Sequence, residues 1–266
     1  MYHSLSFKPL GNFKEIAKIV RKTTDPETGK TKYEKTKKAL YVIEQDHPFD
    51  SPMNRIELKN GEQFFPSSVK HEGNYSNRSF FAGSTLSGKS YLANKYAHDY
   101  LKQNKKNKVV LFTGVENDDY ADIKNLHRIR IDDSILENPI KLEELHDSLA
   151  IFDDIMAVSD KELRNEVCKI RDRVLSAGRH HNIDALILQQ NMLDGFNTKS
   201  TLNNCFQVAI FPRSSGKHQA SNYLERYMKL PKDKIHDIMN RNSRWVLINL
   251  VNPNYLITER DAQIGY

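Results

Sequence analysis

The sequence predicts an α/β protein: a mainly parallel central sheet, a small β-rich region before it and a β-hairpin after it. Three observations lead there. Short apolar runs at residues 78–82, 109–113, 148–155, 183–188 and 206–211 alternate with helical patterns, and buried strands separated by amphipathic helices pack as a parallel sheet covered on both faces. The opening segment instead reads as strand, turn and strand, with turn signals at residues 25–30 and at Asn60 and Gly61. After residue 244 strand patterns return on either side of a Val-Asn-Pro-Asn turn. The expected division is a β-rich region over residues 1–72 and the main domain over residues 73–266.

Composition narrows the class. Charged residues make up 28% and hydrophobic residues 38% of a 266-residue chain, which is long enough to bury a core without disulfides or a structural metal. Cys168 and Cys205 form no C-x-x-C pair, which excludes a disulfide scaffold and a zinc module and fits a reducing, intracellular compartment. No apolar run approaches the roughly 18 residues of a membrane span, and the N-terminus lacks a signal-peptide core. The net charge of +6 is a mild bias toward polyanions, too small to name a nucleic acid as partner.

In the N-terminal region, loose alternation over residues 13–21 and 38–44 around Asp-Pro-Glu-Thr-Gly-Lys predicts a β-hairpin. Nine lysines and arginines against four acids between residues 14 and 38 make its surface basic. Two readings stand side by side: a strand edge guarded by lysines against aggregation, or a patch that faces phosphates. Residues 54–66 read as a second strand-turn-strand unit, and residues 67–77 as a polar loop.

The main domain opens with the apolar strand 78–82, a Gly/Ser loop and a helix over residues 91–102, where Leu92, Tyr96 and Tyr100 share one stripe. A further helix over residues 161–177 carries Leu163, Val167, Ile170 and Val174 at 4-3-4 spacing. Short helices at residues 218–228 and 232–240, the second after Pro231, lead to the closing strands 244–250 and 255–259.

The chemistry concentrates between the first of these strands and its helix. Gly83, Ser84, Thr85, Leu86, Ser87, Gly88, Lys89 and Ser90 fit G-x-x-x-x-G-K-[ST] in the strand-loop-helix context that the motif requires. Glycines let the backbone curl so that its N–H groups face phosphate oxygens, and the helix N-terminus adds unpaired donors and a positive dipole end. This is a nucleotide site, with ATP as the expected ligand. Lys89 is placed for the β- and γ-phosphates, the Ser90 hydroxyl for Mg²⁺, and Tyr91 closes the binding segment at the helix start.

The second half of such a site is an acid ending an apolar strand. Leu149, Ala150, Ile151 and Phe152 run into Asp153 and Asp154. Asp153 is expected to hold Mg²⁺ through water, and Asp154 to polarise the attacking water. No N-K-x-D guanine reader is present, and an acid following the metal aspartate marks water-activating hydrolases. The fold expectation therefore sharpens to a RecA-like additional-strand P-loop NTPase. That class places a polar sensor at the tip of the next strand, where Gln190 is the first choice and Gln189 the second. Before the same strand, His180 and His181 are adjacent rather than four residues apart, unlike a helical metal site. Arg179 is either a finger reaching a neighbouring subunit's phosphates in a ring or an internal salt-bridge residue, with Arg213 and Arg244 as further candidates.

Together the Gly83 to Ser90 loop, Ile-Phe-Asp-Asp-Ile, Gly-Arg-His-His-Asn-Ile-Asp-Ala-Leu-Ile-Leu-Gln-Gln, and the later Phe-Pro-Arg-Ser-Ser-Gly-Lys-His-Gln and Ser-Arg-Trp-Val-Leu-Ile stretches resemble the poxvirus-type genome-packaging ATPases of large DNA viruses, within the FtsK/HerA superfamily of DNA translocases. The resemblance spans residues 80–266. It implies a multimeric ATP-driven motor that threads double-stranded DNA into a preformed capsid, with a homo-oligomeric ring, capsid proteins as partners, and a place in the infected cell or virion. On it, Gly83, Gly88, Lys89 and Ser90 match Walker A, Asp153 and Asp154 match Walker B, Gln190 the sensor and Arg179 the finger. The family often has threonine or serine where this chain has Gln189. Plasmid or conjugation translocases and helicases of the superfamily share every motif, and a low-turnover nucleotide switch is the alternative from another class. Arg213, Lys217 and the basic residues of 229–234 are candidates for DNA grip or plain surface charge. Residues 1–72 match no motif.

Overall fold

The structure, a computed structural model, describes residues 1–26, 28–29, 31–68, 75–115, 119–214 and 216–266, with only the backbone at Phe196. Glu27 and Lys30 of the first expected turn, residues 69–74 of the expected polar loop, and Ser215 lie outside the described residues.

Strands β1 (Tyr2–Ser6), β2 (Asn12–Thr24) and β3 (Thr31–Gln45) open the chain. β2 and β3 form the expected hairpin, antiparallel from the Asn12–Glu44 pair to the Thr24–Thr31 pair. Register shifts at Glu15/Ala17 and Lys18/Val20 explain why the alternation in the sequence is loose, since a bulge resets the two-residue period. The unit over residues 54–66 does supply two strands, β4 (Arg55–Glu57) and β5 (Glu62–Pro66), yet they do not pair with each other. β5 completes a four-stranded sheet of order β1-β3-β2-β5, whereas β4 crosses to the edge of the large sheet.

The large sheet and its helices follow as β6 (Arg78–Ala82), α1 (Lys89–Gln103), β7 (Lys108–Thr113), β8 (Leu126–Ile129), α2 (Ser134–Glu137), β9 (Ser148–Asp153), α3 (Lys161–Ala177), β10 (Ile183–Gln189), α4 (Phe196–Asn204), β11 (Gln207–Ile210), α5 (Lys217–Arg226), α6 (Lys232–Met239), β12 (Val246–Asn249), β13 (Tyr255–Thr258) and β14 (Asp261–Ile264). Its ten strands run β4-β14-β13-β12-β11-β6-β10-β9-β7-β8. The block from β11 to β8 is parallel, and the other four strands are antiparallel additions. β10 lies between β6 and β9, so one strand separates the loop-bearing strand from the acidic strand. That is the additional-strand P-loop NTPase arrangement. The C-terminal hairpin β12–β13 is present and continues into β14, a third strand.

Side-chain alternation sends neighbouring residues of one strand to opposite faces. Phe81 meets Tyr96 edge-on and belongs to one core with Leu92 and Tyr100 of α1 and with Leu40 and Phe64 of the N-terminal sheet. Phe80 belongs instead to the core on the other face, which holds Val167, Ile170 and Val174 of α3 and Tyr223 and Leu224 of α5. Asp160 caps α3, its carboxylate accepting from the backbone N–H groups of Glu162 and Leu163 at 2.8 and 2.9 Å. Among the described residues, no helix is long and apolar enough to cross a membrane.

Candidate nucleotide site

Parallel strands bring their C-terminal ends to one edge of the sheet, so the loops after β6, β9 and β10 meet there. Residues 83–88 turn from β6 into α1 with Leu86 at φ 63° and Gly88 at φ 96°. Only glycine takes the second conformation without steric cost. At Gly83 the constraint is closeness: a Cβ there would lie 2.8 Å from Phe211 Cδ2 and from Ser87 Oγ. The Gly83 N–H donates to Gln189 O at 3.1 Å, which ties the loop to the tip of β10. α1 begins at Gly88 with no side-chain cap, leaving the first-turn N–H groups for an anion.

Lys89 is buried, and its ammonium donates to Ser84 O at 3.1 Å across the loop. Burial pulls its pKa down, while Asp154 and Asp153 oppose that pull. Asp153 ends β9 at 3% exposure. Its Oδ2 accepts from Tyr120 OH at 2.9 Å and makes a long 3.5 Å contact with Ser90 Oγ. Its Oδ1 is buried with no hydrogen-bond partner among the described residues. Burial pushes the carboxyl up to about 6; the Tyr120 bond opposes this and the Asp154 charge adds to it.

Asp154 adopts φ 49° and ψ 35°, left-handed geometry that is costly for most residues and tolerated by Asp and Asn. The turn fits beneath Gly114, where a Cβ would come within 3.0 Å of Asp154 O. Asp154 borders a cleft of about 270 Å³ together with Gln189, Gln190 and Asn191. Gln190 is exposed, whereas Gln189 is buried, its Oε1 without a hydrogen-bond partner among the described residues. Both expected sensor positions therefore border the same cleft as the second carboxylate.

Arg179 does not join these groups. It sits exposed in a 3-10 turn (Gly178–His181) ahead of β10, at the opposite end of the strand and roughly 23 Å along it at ~3.3 Å per residue. No ion pair of Arg179 exists among the described residues; its Nε contacts His180 Nε2 at 3.4 Å. Arg213 and Arg244 lie on the loop side, bordering a recess of about 370 Å³ with Ser84, Thr85, Leu86 and Ser87. Arg244 is bound to Glu259 at 2.7 Å and lies over the Tyr91 ring at 5.6 Å.

Tyr120 and Phe211 are the site residues that the sequence conceals. Tyr120 falls in an irregular stretch with no motif around it, and Phe211 acts only by its closeness to Gly83. Phe211 opens a stretch already singled out, but its contact with Gly83, like that of Tyr120 with Asp153, is defined only by the other half of the pair.

No protein-family model matches the chain. Uncharacterized protein V3 of Sputnik virophage is 33% identical over 229 residues, covering 85% of this chain and 89% of that protein. Among solved structures, the genome packaging NTPase B204 from Sulfolobus turreted icosahedral virus 2 in complex with AMP aligns at TM-score 0.49 and 13% identity, covering 69% of this chain and 96% of that one. The pCW3 conjugation coupling protein TcpA, in monomer form with ATPγS, aligns at TM-score 0.49 and 15% identity, covering 91% of this chain and 77% of that one.

Proposed function

From the premise that the chain belongs to the family of Sputnik virophage protein V3 and has the strand order of an additional-strand P-loop NTPase, we propose an ATP-hydrolysing motor of the FtsK/HerA type that translocates double-stranded DNA and packages a viral genome into a preformed capsid. The observation that carries this reading is the meeting of Lys89 and Ser90, at the start of α1, with Asp153 and Asp154, at the end of β9, on one edge of the parallel sheet. A lysine, a hydroxyl and two carboxylates of different burial are the groups that phosphoryl transfer to water uses.

The residues fit Mg²⁺ and a triphosphate. The backbone of residues 83–88 with Lys89 would hold the phosphates, with Tyr91 beside them, and Ser90 and Asp153 would hold the metal. The unpartnered Asp153 Oδ1 is an acceptor that a cation would satisfy. When bound, Mg²⁺ supplies positive charge against the phosphate oxygens. Lys89 contributes a fixed ammonium to the same end. Asp154 accepts a proton from the attacking water, and Gln190 or its neighbour Gln189 orients that water from across the cleft. Arg179, at the far end of the sheet, serves a neighbouring subunit in a ring. DNA is held mainly by its phosphates, independent of sequence and weakened by salt. Capsid proteins receive the assembled ring, which acts in the infected cell or on the virion.

Triplex displacement tests movement on DNA directly. Purified chain with ATP, Mg²⁺ and a duplex bearing a third strand should release that strand, and Lys89→Ala should not. Phosphate release without strand release would leave an ATPase that is not a translocase.

A further inference from the structure

The N-terminal hairpin carries an unbalanced row of charge in water. Lys32, Lys35, Lys37 and Lys38 of β3 are all exposed, as is Lys22 on β2 opposite Tyr33. Among the described residues none of the five is ion-paired. Arg21 differs, standing opposite Glu34 on one side and Glu62 on the other. The lysine row lies on the half of β3 that β1 leaves uncovered, because β1 pairs only with Tyr41 through Gln45. Regular pairing with β2 covers Thr31 to Lys35 and resumes at Ala39, so Lys32 and Lys35 stand on the paired strand while Lys37 and Lys38 fall in the bulge between, and the charge spreads around the hairpin rather than along one face. Lysines also keep an open edge from recruiting another chain. The two roles are compatible, because both leave the ammonium groups in water.

The hairpin is not a detached arm. Lys18 is ion-paired with Asp99 of α1, and Ser68, just after β5, donates its backbone N–H to the same carboxylate at 3.0 Å. Tyr33 packs edge-on against Phe65 at 5.9 Å, and Phe65 meets the Tyr91 ring at 6.2 Å. Tyr91 directly follows Ser90. An aromatic chain thus runs from the lysine-bearing strand to the start of the helix below the nucleotide loop.

We propose that Lys22 and the lysine row of β3 form a contact surface for the phosphate backbone of duplex DNA, and that the Tyr33–Phe65–Tyr91 contact passes that engagement to the nucleotide site. The first half stands on charge and exposure; the second rests on the proposed motor function.

The test uses the full chain and a variant in which Lys32, Lys35, Lys37 and Lys38 are all changed to Gln. Binding of a fluorescent duplex of about 30 base pairs is followed by anisotropy without nucleotide, between about 50 and 200 mM salt. Removing four phosphate contacts should make the slope of log affinity against log salt shallower by about 3 to 4, and lower affinity by tenfold or more. Changing the same four lysines to Arg should keep both. In phosphate release, the Gln variant should lose stimulation by duplex while keeping its DNA-free rate. Unchanged affinity and slope in the Gln variant would overturn the proposal. So would intact duplex binding with lost binding to phosphatidylserine vesicles, which would make the row a membrane contact. If the unaltered chain releases no phosphate, the motor reading fails, while the salt slope still decides the surface.

Discussion

Asp153 and Asp154 are adjacent in sequence and unlike in setting, and the roles proposed for them differ accordingly. Asp153 is buried, bonded to Tyr120 and pushed up to about 6. A carboxyl raised in the folded state costs nothing where both states are protonated; the cost grows as pH climbs from the ordinary carboxylate range through 6. At neutral pH the nucleotide-free fold therefore carries a penalty on the order of 1–3 kcal/mol at this one side chain. Asp153→Asn should raise the thermal midpoint of the protein in chelator at pH 7.5 and abolish further stabilisation by Mg²⁺ with ATP. A lowered midpoint in chelator would show that the buried charge is compensated by another group. Asp154 is the half-exposed partner in a left-handed turn. Asn tolerates that backbone as Asp does, so Asp154→Asn removes the charge and keeps the turn.

Elements form from local pattern and are placed by distant contacts. Leu92, Tyr96 and Tyr100 marked the buried stripe of α1, and the apolar runs marked β6, β7, β9, β10 and β11 nearly to the residue. Such segments are legible because one face or both are buried. β1, β8, β14 and the short helices α2 and α4 escaped, being four to nine residues long with mixed burial. The parting of β4 from β5 was equally hidden, because a turn at Asn60 and Gly61 says nothing about which sheet each arm will join. The loop glycines were legible as a motif, but the reason for Gly83 was not. It needs Phe211, 128 residues later in the chain, to be seen. Gly83→Ala must displace that ring or the Ser87 hydroxyl, so it should destabilise the protein by about 1–3 kcal/mol and weaken ATP binding. Urea unfolding and nucleotide titration read the two effects separately. Wild-type stability in that variant would mean that the loop has room to shift.

Across the whole molecule, the loop and the carboxylates share one edge of the parallel sheet while Arg179 occupies the other. The sequence order suggested this arrangement, and the strand length makes it a distance no side chain can bridge within one chain. Any action of Arg179 on phosphates must be on another subunit. Arg179→Ala mixed with Lys89→Ala should therefore recover part of the turnover that each lacks alone, because some mixed interfaces pair an intact loop with an intact arginine. No recovery at any mixing ratio would return Arg179 to a local role beside His180.

The proposal for this site is that residues 83–90 hold ATP and that Asp154 primes the water that cleaves it. Its most direct test measures ATP binding and phosphate release on the same samples of the unaltered chain, Lys89→Ala and Asp154→Asn, with Mg²⁺ and duplex DNA. Lys89→Ala should lose binding, whereas Asp154→Asn should bind normally but release phosphate about 10²- to 10⁴-fold more slowly. Turnover by Asp154→Asn at the unaltered rate would contradict it.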